Sequence, residues 1–181
     1  MQTDDFTIIS LTDFLNNLGK ESVSKILSTF ESRKESDTEN FLRTKAIEME
    51  LRDLSRTYLG LSSDGRTVLG YITIGIKSLR VPSENILSGK TLKNMNIDGE
   101  TGIAQSYLIG QLSRCNKSPN GFGEILMDVA FKHLRTAKKN VGCRLVRLDC
   151  YQELIPYYQQ YGFKVIVNSN NGSLNQMLMV I

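Results

Sequence analysis

The sequence has little of what metal sites and disulfide frameworks need. Its 181 residues include three cysteines and one histidine. No Cys-x-x-Cys pair occurs among them, since they stand at Cys115, Cys143 and Cys150, so neither a disulfide framework nor a zinc knuckle is predicted. With no second imidazole for a histidine-rich site, we expect no metal. We interpret His133 as an ordinary helix-surface residue, and Cys150 as a buried or idle thiol rather than a nucleophile.

Long apolar runs and a strong charge are also missing. No apolar run approaches the roughly 18 residues of a transmembrane helix, so no membrane association is expected. The acidic segment Met1-Gln2-Thr3-Asp4-Asp5 lacks the apolar core of a signal peptide, which predicts a cytoplasmic protein. The formal net charge of +3 is smaller than in most proteins that coat nucleic acid. Composition therefore neither indicates nor excludes RNA or DNA as a substrate.

Apolar residues are numerous enough for one sizeable core. The chain is 40% hydrophobic, and no stretch resembles a linker long enough to divide it. We therefore predict a single domain over residues 1–181. An N-terminal strand with helices fills 1–56, and a C-terminal hairpin fills 164–181. Between them, Pro82 and several glycines break every pattern, so 81–104 is predicted to be an irregular insertion.

Hydrophobic spacing predicts alternating strands and helices in the order β-α-α-β-β-β-α-β-α-β-β. Asp64-Gly65 is a strong hairpin signal, and Gly162 is placed to end a helix as its C′ residue. Asp37 or Thr38 can cap a helix that follows the polar loop 31–39 and runs toward residue 54. The other predicted helices are 11–18, 23–30, 121–139 and 152–161, and the predicted strands are 6–10, 57–61, 67–79, 105–112, 145–150, 164–167 and 176–181, the last two pairing across 168–172.

The most informative stretch is the glycine turn Ser118-Pro119-Asn120-Gly121-Phe122-Gly123. It lies between the apolar run 107–112 and a helix-like segment, and a strand, a glycine turn and a helix start together form an anion cradle. A Rossmann fingerprint is excluded because Leu126 stands where its third glycine belongs. A Walker A loop is excluded because Glu84 stands where its first glycine belongs, before Ser88-Gly89-Lys90-Thr91. A plain strand-to-helix connection remains the alternative to a phosphate site.

A second element follows about thirty residues later, and the two together resemble the signature of the GCN5-related N-acetyltransferases (GNAT). That signature is Gln/Arg-x-x-Gly-x-Gly/Ala after a strand, followed by a Phe/Tyr-Tyr-x-x-x-Gly-Phe ending. Ser118 departs from the first position, and the loop 114–121 is about one residue shorter than usual. The matching residues are Gly121 and Gly123 in the first half and Tyr157, Tyr158, Gly162 and Phe163 in the second.

The resemblance implies a fold and a coenzyme site. The fold is α/β, with a mixed, mostly antiparallel central sheet of six to seven strands, splayed at the middle and flanked by helices. Acetyl-CoA is the implied acyl donor, held by a coenzyme-binding core at 105–163. Main-chain groups of Leu112 and Arg114 would meet the pantetheine arm and the thioester oxygen. Lys117 or Arg114 would screen phosphate charge, with a solvated loop as the alternative interpretation of both. The pyrophosphate would lie on Asn120, Gly121, Phe122 and Gly123.

The resemblance also implies catalytic roles. Tyr158 matches the family tyrosine that protonates the departing thiolate, and a core-packing tyrosine is the alternative interpretation. No Asp, Glu or His lies between 105 and 112, where such enzymes often carry a general base. That role is left to Asp149, Glu153, a residue of the insertion or a chain of waters.

The predicted function is acyl-CoA-dependent N-acyltransfer, by direct attack of a primary amine on acetyl-CoA. The acceptor class is left open among small molecules, peptides and aminoacyl-tRNA. Segments 55–59 and 69–74 also resemble the branch of acetyltransferase toxins from toxin–antitoxin pairs. The alternatives are therefore a catalytically weak binding module of this fold and a toxin that acetylates aminoacyl-tRNA. The partners left open are a second copy of the chain, as a homodimer, and a small antitoxin-like protein.

Overall fold

The computed structural model describes residues 6–34, 36–167 and 174–181. The predicted alternation of strands and helices is found, but four helices instead of two separate the first two strands, and additional short elements lie between residues 77 and 104. The strands are β1 Phe6–Ser10, β2 Ser55–Ser62, β3 Val68–Ile76, β4 Leu79–Arg80, β5 Ile103–Ala104, β6 Ser106–Arg114, β7 Leu145–Cys150, β8 Lys164–Val165 and β9 Asn175–Val180. The helices are α1 Leu11–Leu18, α2 Lys20–Ser28, α3 Ser36–Thr44, α4 Ala46–Leu51, α5 Gly89–Asn94, α6 Phe122–Val141 and α7 Ile155–Gln159, with a 3-10 turn at Gln152–Leu154.

Seven strands form one mixed sheet in the order β1-β2-β3-β6-β7-β9-β8. The β6–β7 pair is parallel, whereas β1–β2, β2–β3, β7–β9 and β8–β9 are antiparallel. The predicted fold class, a mostly antiparallel mixed sheet flanked by helices, is confirmed. Strands β4 and β5 form a separate two-stranded sheet.

The chain divides into two compact units. The first contains the described residues of 1–75 and 111–133, and the second those of 76–110 and 134–181. Strand β6 and helix α6 each contribute residues to both units. The prediction that 1–181 is a single acetyltransferase-like domain stays a prediction.

The start of α6 is held in the first unit by the ring of Phe122, which is fully buried. This ring packs edge-on against Phe6, with the centroids 5.1 Å apart. Two strand glycines make room for it. A Cβ built on Gly60 would lie 2.3 Å from the Phe122 ring, and one on Gly70 would lie 3.1 Å from the ring and 2.7 Å from the Ser113 carbonyl oxygen. The first turn of α6 therefore packs directly on β2 and β3.

A buried carboxylate joins the N-terminal helices to β2. Glu50 is 3% exposed. Its oxygens accept from the Thr57 N–H at 2.8 Å and from the Thr12 hydroxyl at 2.6 Å, and Arg56 lies 3.9 Å away. Because an ionised buried group is stable only when its lone pairs are satisfied, these donors compensate the burial of the charge.

Replacing Glu50 by alanine is expected to lower the free energy of unfolding by about 3 kcal/mol, because the Thr57 N–H would be left buried without an acceptor. The measurement is urea unfolding of the purified variant. The matched control is Glu48→Ala, which removes an exposed ion pair with Arg52 and should cost less than about 1 kcal/mol. Equal losses in the two variants would contradict an anchoring role for Glu50.

The segment 81–104 is irregular in part, but it also contains one helix and one strand that the sequence did not predict. Helix α5 begins after Ser88, whose hydroxyl oxygen accepts from the Thr91 N–H at 3.2 Å, and β4 pairs with β5. Apolar side chains of the segment belong to a buried cluster of the second unit, which consists of Leu79, Met95, Ala104, Leu145, Ile166 and Leu178. Elements this short carry no readable period, and tertiary packing determines them.

Other element boundaries also differ from the prediction. The helix predicted to run toward residue 54 is two helices separated at Lys45, and it begins at Ser36, so Asp37 and Thr38 lie in its first turn. Strand 67–79 ends at Ile76, since Leu79–Arg80 pairs with β5 instead. The predicted helix 152–161 is a 3-10 turn followed by α7, and Gly162 has the left-handed φ of +95° expected of a C′ residue. The turn predicted at 168–172 lies outside the described residues.

Candidate functional site

The parallel ladder between β6 and β7 is short. It pairs Ser106 with Leu145, Tyr107 with Val146 and Leu108 with Arg147. No pairing follows in the register, although β6 continues to Arg114 and β7 to Cys150. Within the second unit, Ile109 and Gly110 therefore already lie beyond the ladder. This early end of the pairing is the feature that the predicted splay at the middle of the sheet requires.

Strand β6 contains a bulge where it runs beside β3. The Lys77 N–H donates to the Ser106 carbonyl at 3.0 Å, and the Cys115 N–H donates to the Leu69 carbonyl at 2.9 Å. Between these two bonds the chain advances nine residues in β6, from 106 to 115, but only eight in β3, from 69 to 77. One extra residue in one strand of an antiparallel pair is a β-bulge, which bends the strand and increases its twist.

Main-chain directions after the bulge follow from two bonds. Gln111 and Cys115 both direct their N–H groups to β3, at the Thr73 hydroxyl oxygen (2.8 Å) and at the Leu69 carbonyl. Because successive residues of a strand address opposite sides, Leu112 and Arg114 direct their main-chain groups away from β3. The Arg114 carbonyl accepts from the Arg33 N–H at 2.9 Å, so its oxygen is engaged. Leu112 is thus the better placed of the two predicted backbone contacts.

The glycine turn has the geometry of an anion cradle. Gly121 has a φ of +77°, and α6 begins at the next residue and is 20 residues long. The N–H groups of Asn120, Gly121 and Gly123 have no hydrogen-bond partner anywhere in the described ranges. The N–H of Phe122 differs, because it donates to the Pro119 carbonyl at 3.3 Å. Three of the four predicted pyrophosphate residues therefore offer a free donor.

Hydrogen bonds from Ser118 stabilise a turn in the loop before the cradle. The Ser118 hydroxyl donates to the Cys115 carbonyl at 2.8 Å, and the Ser118 N–H donates to the same oxygen at 3.3 Å. The residue at the departing signature position therefore stabilises a local turn. Lys117 beside it is exposed and forms no ion pair with the described residues. Its ammonium is available to an anion.

Tyr158 lies in the second unit, in the middle of α7, and is 7% exposed. Its ring packs edge-on against Tyr157 and Phe163, with centroids 5.1 and 6.1 Å away. Its carbonyl accepts from the N–H groups of Tyr161 and Phe163, which ends the helix. The ring is therefore held from two sides by residues of the same signature element.

The candidates for a general base differ in availability. Both oxygens of Asp149 accept from the Arg147 guanidinium, at 3.0 and 3.1 Å, and Arg147 is 4% exposed. Arg147 also donates to the Ser78 carbonyl at 3.3 Å. Asp149 is thus committed to a buried cation. Glu153, in the 3-10 turn, is exposed.

His133 and Cys150, to which the sequence assigns no catalytic or metal-binding role, both pack against neighbouring side chains. His133 is half-buried and stacks on Tyr58, with ring centroids 4.1 Å apart, so its interpretation as an ordinary surface residue is wrong. Burial, followed by the charge of Lys132, lowers the pKa of His133 and favours the neutral imidazole. Cys150 is 3% exposed, and its thiol lies 3.5 Å from the Met177 sulfur, which confirms a buried thiol.

Metal and membrane features are absent from the part of the chain that the structure describes. No group of three or more His, Cys, Asp or Glu side chains there could hold a metal ion. None of the helices in those residues combines the length and the apolar character that spanning a bilayer demands.

Comparisons with known proteins identify the fold. No family model matches the sequence, and no curated protein matches it. Solved structures do match. A tyrosine-to-phenylalanine mutant of KacT gives a TM-score of 0.76 at 19% identity over 97% of this chain and 94% of that one. AtaT complexed with acetyl-methionyl-tRNAfMet gives 0.73 at 21% identity over 94% of each chain.

A third solved structure is an AtaT mutant toxin bound to the C-terminus of the antitoxin AtaR and acetyl-CoA. It gives a TM-score of 0.69 at 19% identity over 98% of this chain and 94% of that one. At such identities the likeness concerns the fold. With its mixed seven-stranded sheet and its strand–glycine turn–helix arrangement, the chain has the fold of the GCN5-related N-acetyltransferases, in the form found in the toxins AtaT and KacT.

Proposed function

We propose that this protein is an acyl-CoA-dependent N-acyltransferase that transfers an acetyl group from acetyl-CoA to a primary amine. The observation that carries the proposal is the cradle at the start of α6. There, the N–H groups of Asn120, Gly121 and Gly123 have no partner among the described residues, and Gly121 has a left-handed φ. Asn120 and Gly121 are exposed and Gly123 is half-buried, and unpaired N–H groups gathered at the start of a helix favour a ligand with several acceptor oxygens.

The residues of the cradle fit a pyrophosphate. Apart from Gly121 and its two chain neighbours, no heavy atom of the described residues lies within 4 Å of the point where a Cβ of Gly121 would stand, so the turn is open on that side. The 20-residue helix behind it adds the partial positive charge of a helix N-terminus. Lys117 adds a full charge from the adjacent loop. Together these groups would bind an anion through the backbone and would hold it without a metal.

The proposed acetyl transfer from a thioester to an amine needs three contributions from the chain: orientation of the coenzyme, a proton for the leaving thiolate and an acceptor for the amine proton. Acetyl-CoA supplies the electrophilic thioester carbon. The main-chain groups of Leu112 face away from β3, where they can orient the pantetheine arm. Tyr158 donates a proton to the departing thiolate, as the resemblance implies. Because Asp149 is bound to Arg147, the proton of the attacking amine is assigned to Glu153 or to water.

A charged tRNA is the favoured acceptor. Exposed cations follow one another along the end of α6 and just after it, within the second unit, and they are Arg135, Lys138, Lys139 and Arg144. A row of exposed cations suits a polyanion that carries a reactive amine. The AtaT structure with acetyl-methionyl-tRNAfMet supports this choice. On this proposal an antitoxin-like partner is expected, as in the AtaT complexes; a homodimer and a cytoplasmic location stay predictions.

The test uses the purified full-length protein with labelled acetyl-CoA and three acceptor classes: a small amine, a peptide with a free N-terminus, and aminoacyl-tRNA. We expect acetyl-CoA binding by calorimetry and transfer to aminoacyl-tRNA that weakens steeply as salt rises from 50 to about 200 mM, because phosphate contacts release counterions. Lys138→Glu combined with Lys139→Glu should weaken this transfer and spare transfer to the small amine.

Each outcome decides between the candidates. Failure to bind acetyl-CoA would exclude the enzyme. Binding without transfer to any of the three acceptors would favour the catalytically weak module. Transfer to the small amine or to the peptide alone, with no effect of the paired lysine variant, would remove tRNA as the acceptor.

A further inference from the structure

We propose that Thr73 is a positioning residue whose hydroxyl fixes the bulge of β6 and so sets the direction in which Leu112 presents its main-chain groups. The proposal rests on the function proposed above, because those groups are the ones assigned to the pantetheine arm. The three residues on which it acts, Thr73, Gln111 and Leu112, belong to the first unit.

The supporting contact is a side chain-to-backbone hydrogen bond inside the sheet. Thr73 lies in β3 and is 2% exposed. Its Oγ1 accepts from the Gln111 N–H at 2.8 Å. In a regular antiparallel ladder a strand N–H is taken by a carbonyl of the neighbouring strand, and a bulge disturbs that pairing. Thr73 therefore supplies an oxygen at the stretch where β6 carries its extra residue.

The hydrogen bond of Thr73 can be compared with the environment of Thr57, its partner on the neighbouring strand β2. Thr57 is the partner of Thr73 in the β2–β3 register and is fully buried. Directly paired residues project on the same face of a sheet. The Thr57 Oγ1 is buried and has no hydrogen-bond partner among the residues that the structure describes. Because β2 is separated from β6 by β3, Thr73 is the one of these two residues whose hydroxyl lies on the strand next to β6, and it takes the backbone donor.

The consequence concerns the next residue. Since N–H groups alternate in direction along a strand, holding the Gln111 N–H toward β3 directs the main-chain groups of Leu112 to the opposite side. If the bulge moved by one residue, Leu112 would address β3 and its donor would be lost to a ligand. Thr73 therefore acts on coenzyme binding through the backbone and contacts no substrate.

The experiment compares Thr73→Val, which removes the acceptor and keeps the shape, with Thr73→Ser, which keeps the acceptor. Thr57→Val is the matched control on the opposing strand. Two quantities are measured: the hydrogen-exchange rate of the Gln111 amide in isotopically labelled protein, and the Kd of acetyl-CoA by calorimetry. For Thr73→Val we expect Gln111 to exchange at least about tenfold faster and the Kd to rise about tenfold. Thr73→Ser and Thr57→Val should stay within about twofold of the wild type in both.

The outcomes separate this inference from the proposed function. If Thr73→Val retains the slow Gln111 exchange or the wild-type Kd, the inference is wrong. If Thr57→Val accelerates Gln111 exchange equally, Thr73 contributes packing alone, which also overturns it. If the wild type does not bind acetyl-CoA, the proposed function fails, and Gln111 exchange still decides whether Thr73 holds the bulge. Should Thr73→Val not fold, Thr73→Ala provides the same comparison with a smaller side chain.

Discussion

Tyr158→Phe is expected to lower turnover by about 10²- to 10⁴-fold while leaving the affinity for acetyl-CoA and the stability of the fold nearly unchanged. The ring of Tyr158 packs against Tyr157 and Phe163, and phenylalanine keeps both contacts. Only the hydroxyl is lost. If this hydroxyl protonates the departing thiolate, the loss falls on the chemical step. The measurement is single-turnover acetyl transfer, together with calorimetry and thermal unfolding.

Tyr161→Phe is the matched control from the same cluster. Its hydroxyl donates to the Tyr157 hydroxyl at the long distance of 3.4 Å, and the signature assigns it no role, so its removal should change turnover by less than about twofold. If Tyr158→Phe turns over at the wild-type rate in single-turnover experiments, the acid is another group, and Tyr157 is tested next. If instead Tyr158→Phe loses stability without losing turnover, Tyr158 is a core tyrosine.

Gly121→Val is expected to weaken acetyl-CoA binding by about 100-fold, which corresponds to roughly 2.7 kcal/mol. Gly121 has a φ of +77°, and a β-branched residue adopts that conformation only at a cost of about 1–3 kcal/mol. There is space for the added atoms, since nothing lies within 4 Å of the new Cβ. The loss is therefore expected from a changed turn and from methyl groups placed over the N–H donors. Calorimetry on the folded variant measures it.

Gly65→Val separates binding from strain. Gly65 has a φ of +69° in the β2–β3 hairpin, and its added Cβ also meets nothing within 4 Å. We expect a similar loss of stability and no loss of acetyl-CoA affinity. Equal losses of affinity in both variants would mean that the effect is global. Unchanged affinity in folded Gly121→Val would rule out the cradle as the pyrophosphate site.

Local signals in the sequence predicted the parts of the structure that are themselves local. Strand β7 was predicted with its observed bounds, Leu145–Cys150, because a mostly apolar segment of this short length fits a buried strand better than a helix. The cradle was predicted because glycine is required where φ is positive and where a backbone must stay open. Asp64-Gly65 predicted its hairpin for the same conformational reason.

Features that depend on residues distant in the chain were not predictable in this way. The bulge of β6 appears only when the residues of β3 and β6 are counted between two hydrogen bonds. The residue types at Thr73 and Gln111 do not indicate it. His133 was assigned to a helix surface because its stacking partner, Tyr58, lies on a strand of another segment. The insertion was judged irregular because Leu79 and Ala104 meet only when β4 and β5 pair. The roles assigned to Tyr158 and to the cradle remain predictions.

The slot that receives Phe122 limits which side chains positions 60, 70 and 122 of this chain can carry together. Gly60 and Gly70 lie where any side chain would collide with the Phe122 ring or with the backbone of β6. A larger residue at Gly60 can be accepted only by a chain that also carries a smaller one at position 122. These positions lie in different segments and contain no catalytic group, yet the side-chain size at one limits the side-chain size at the other. The side chain of Phe122, within the cradle segment, is thus constrained by the strands on which it packs.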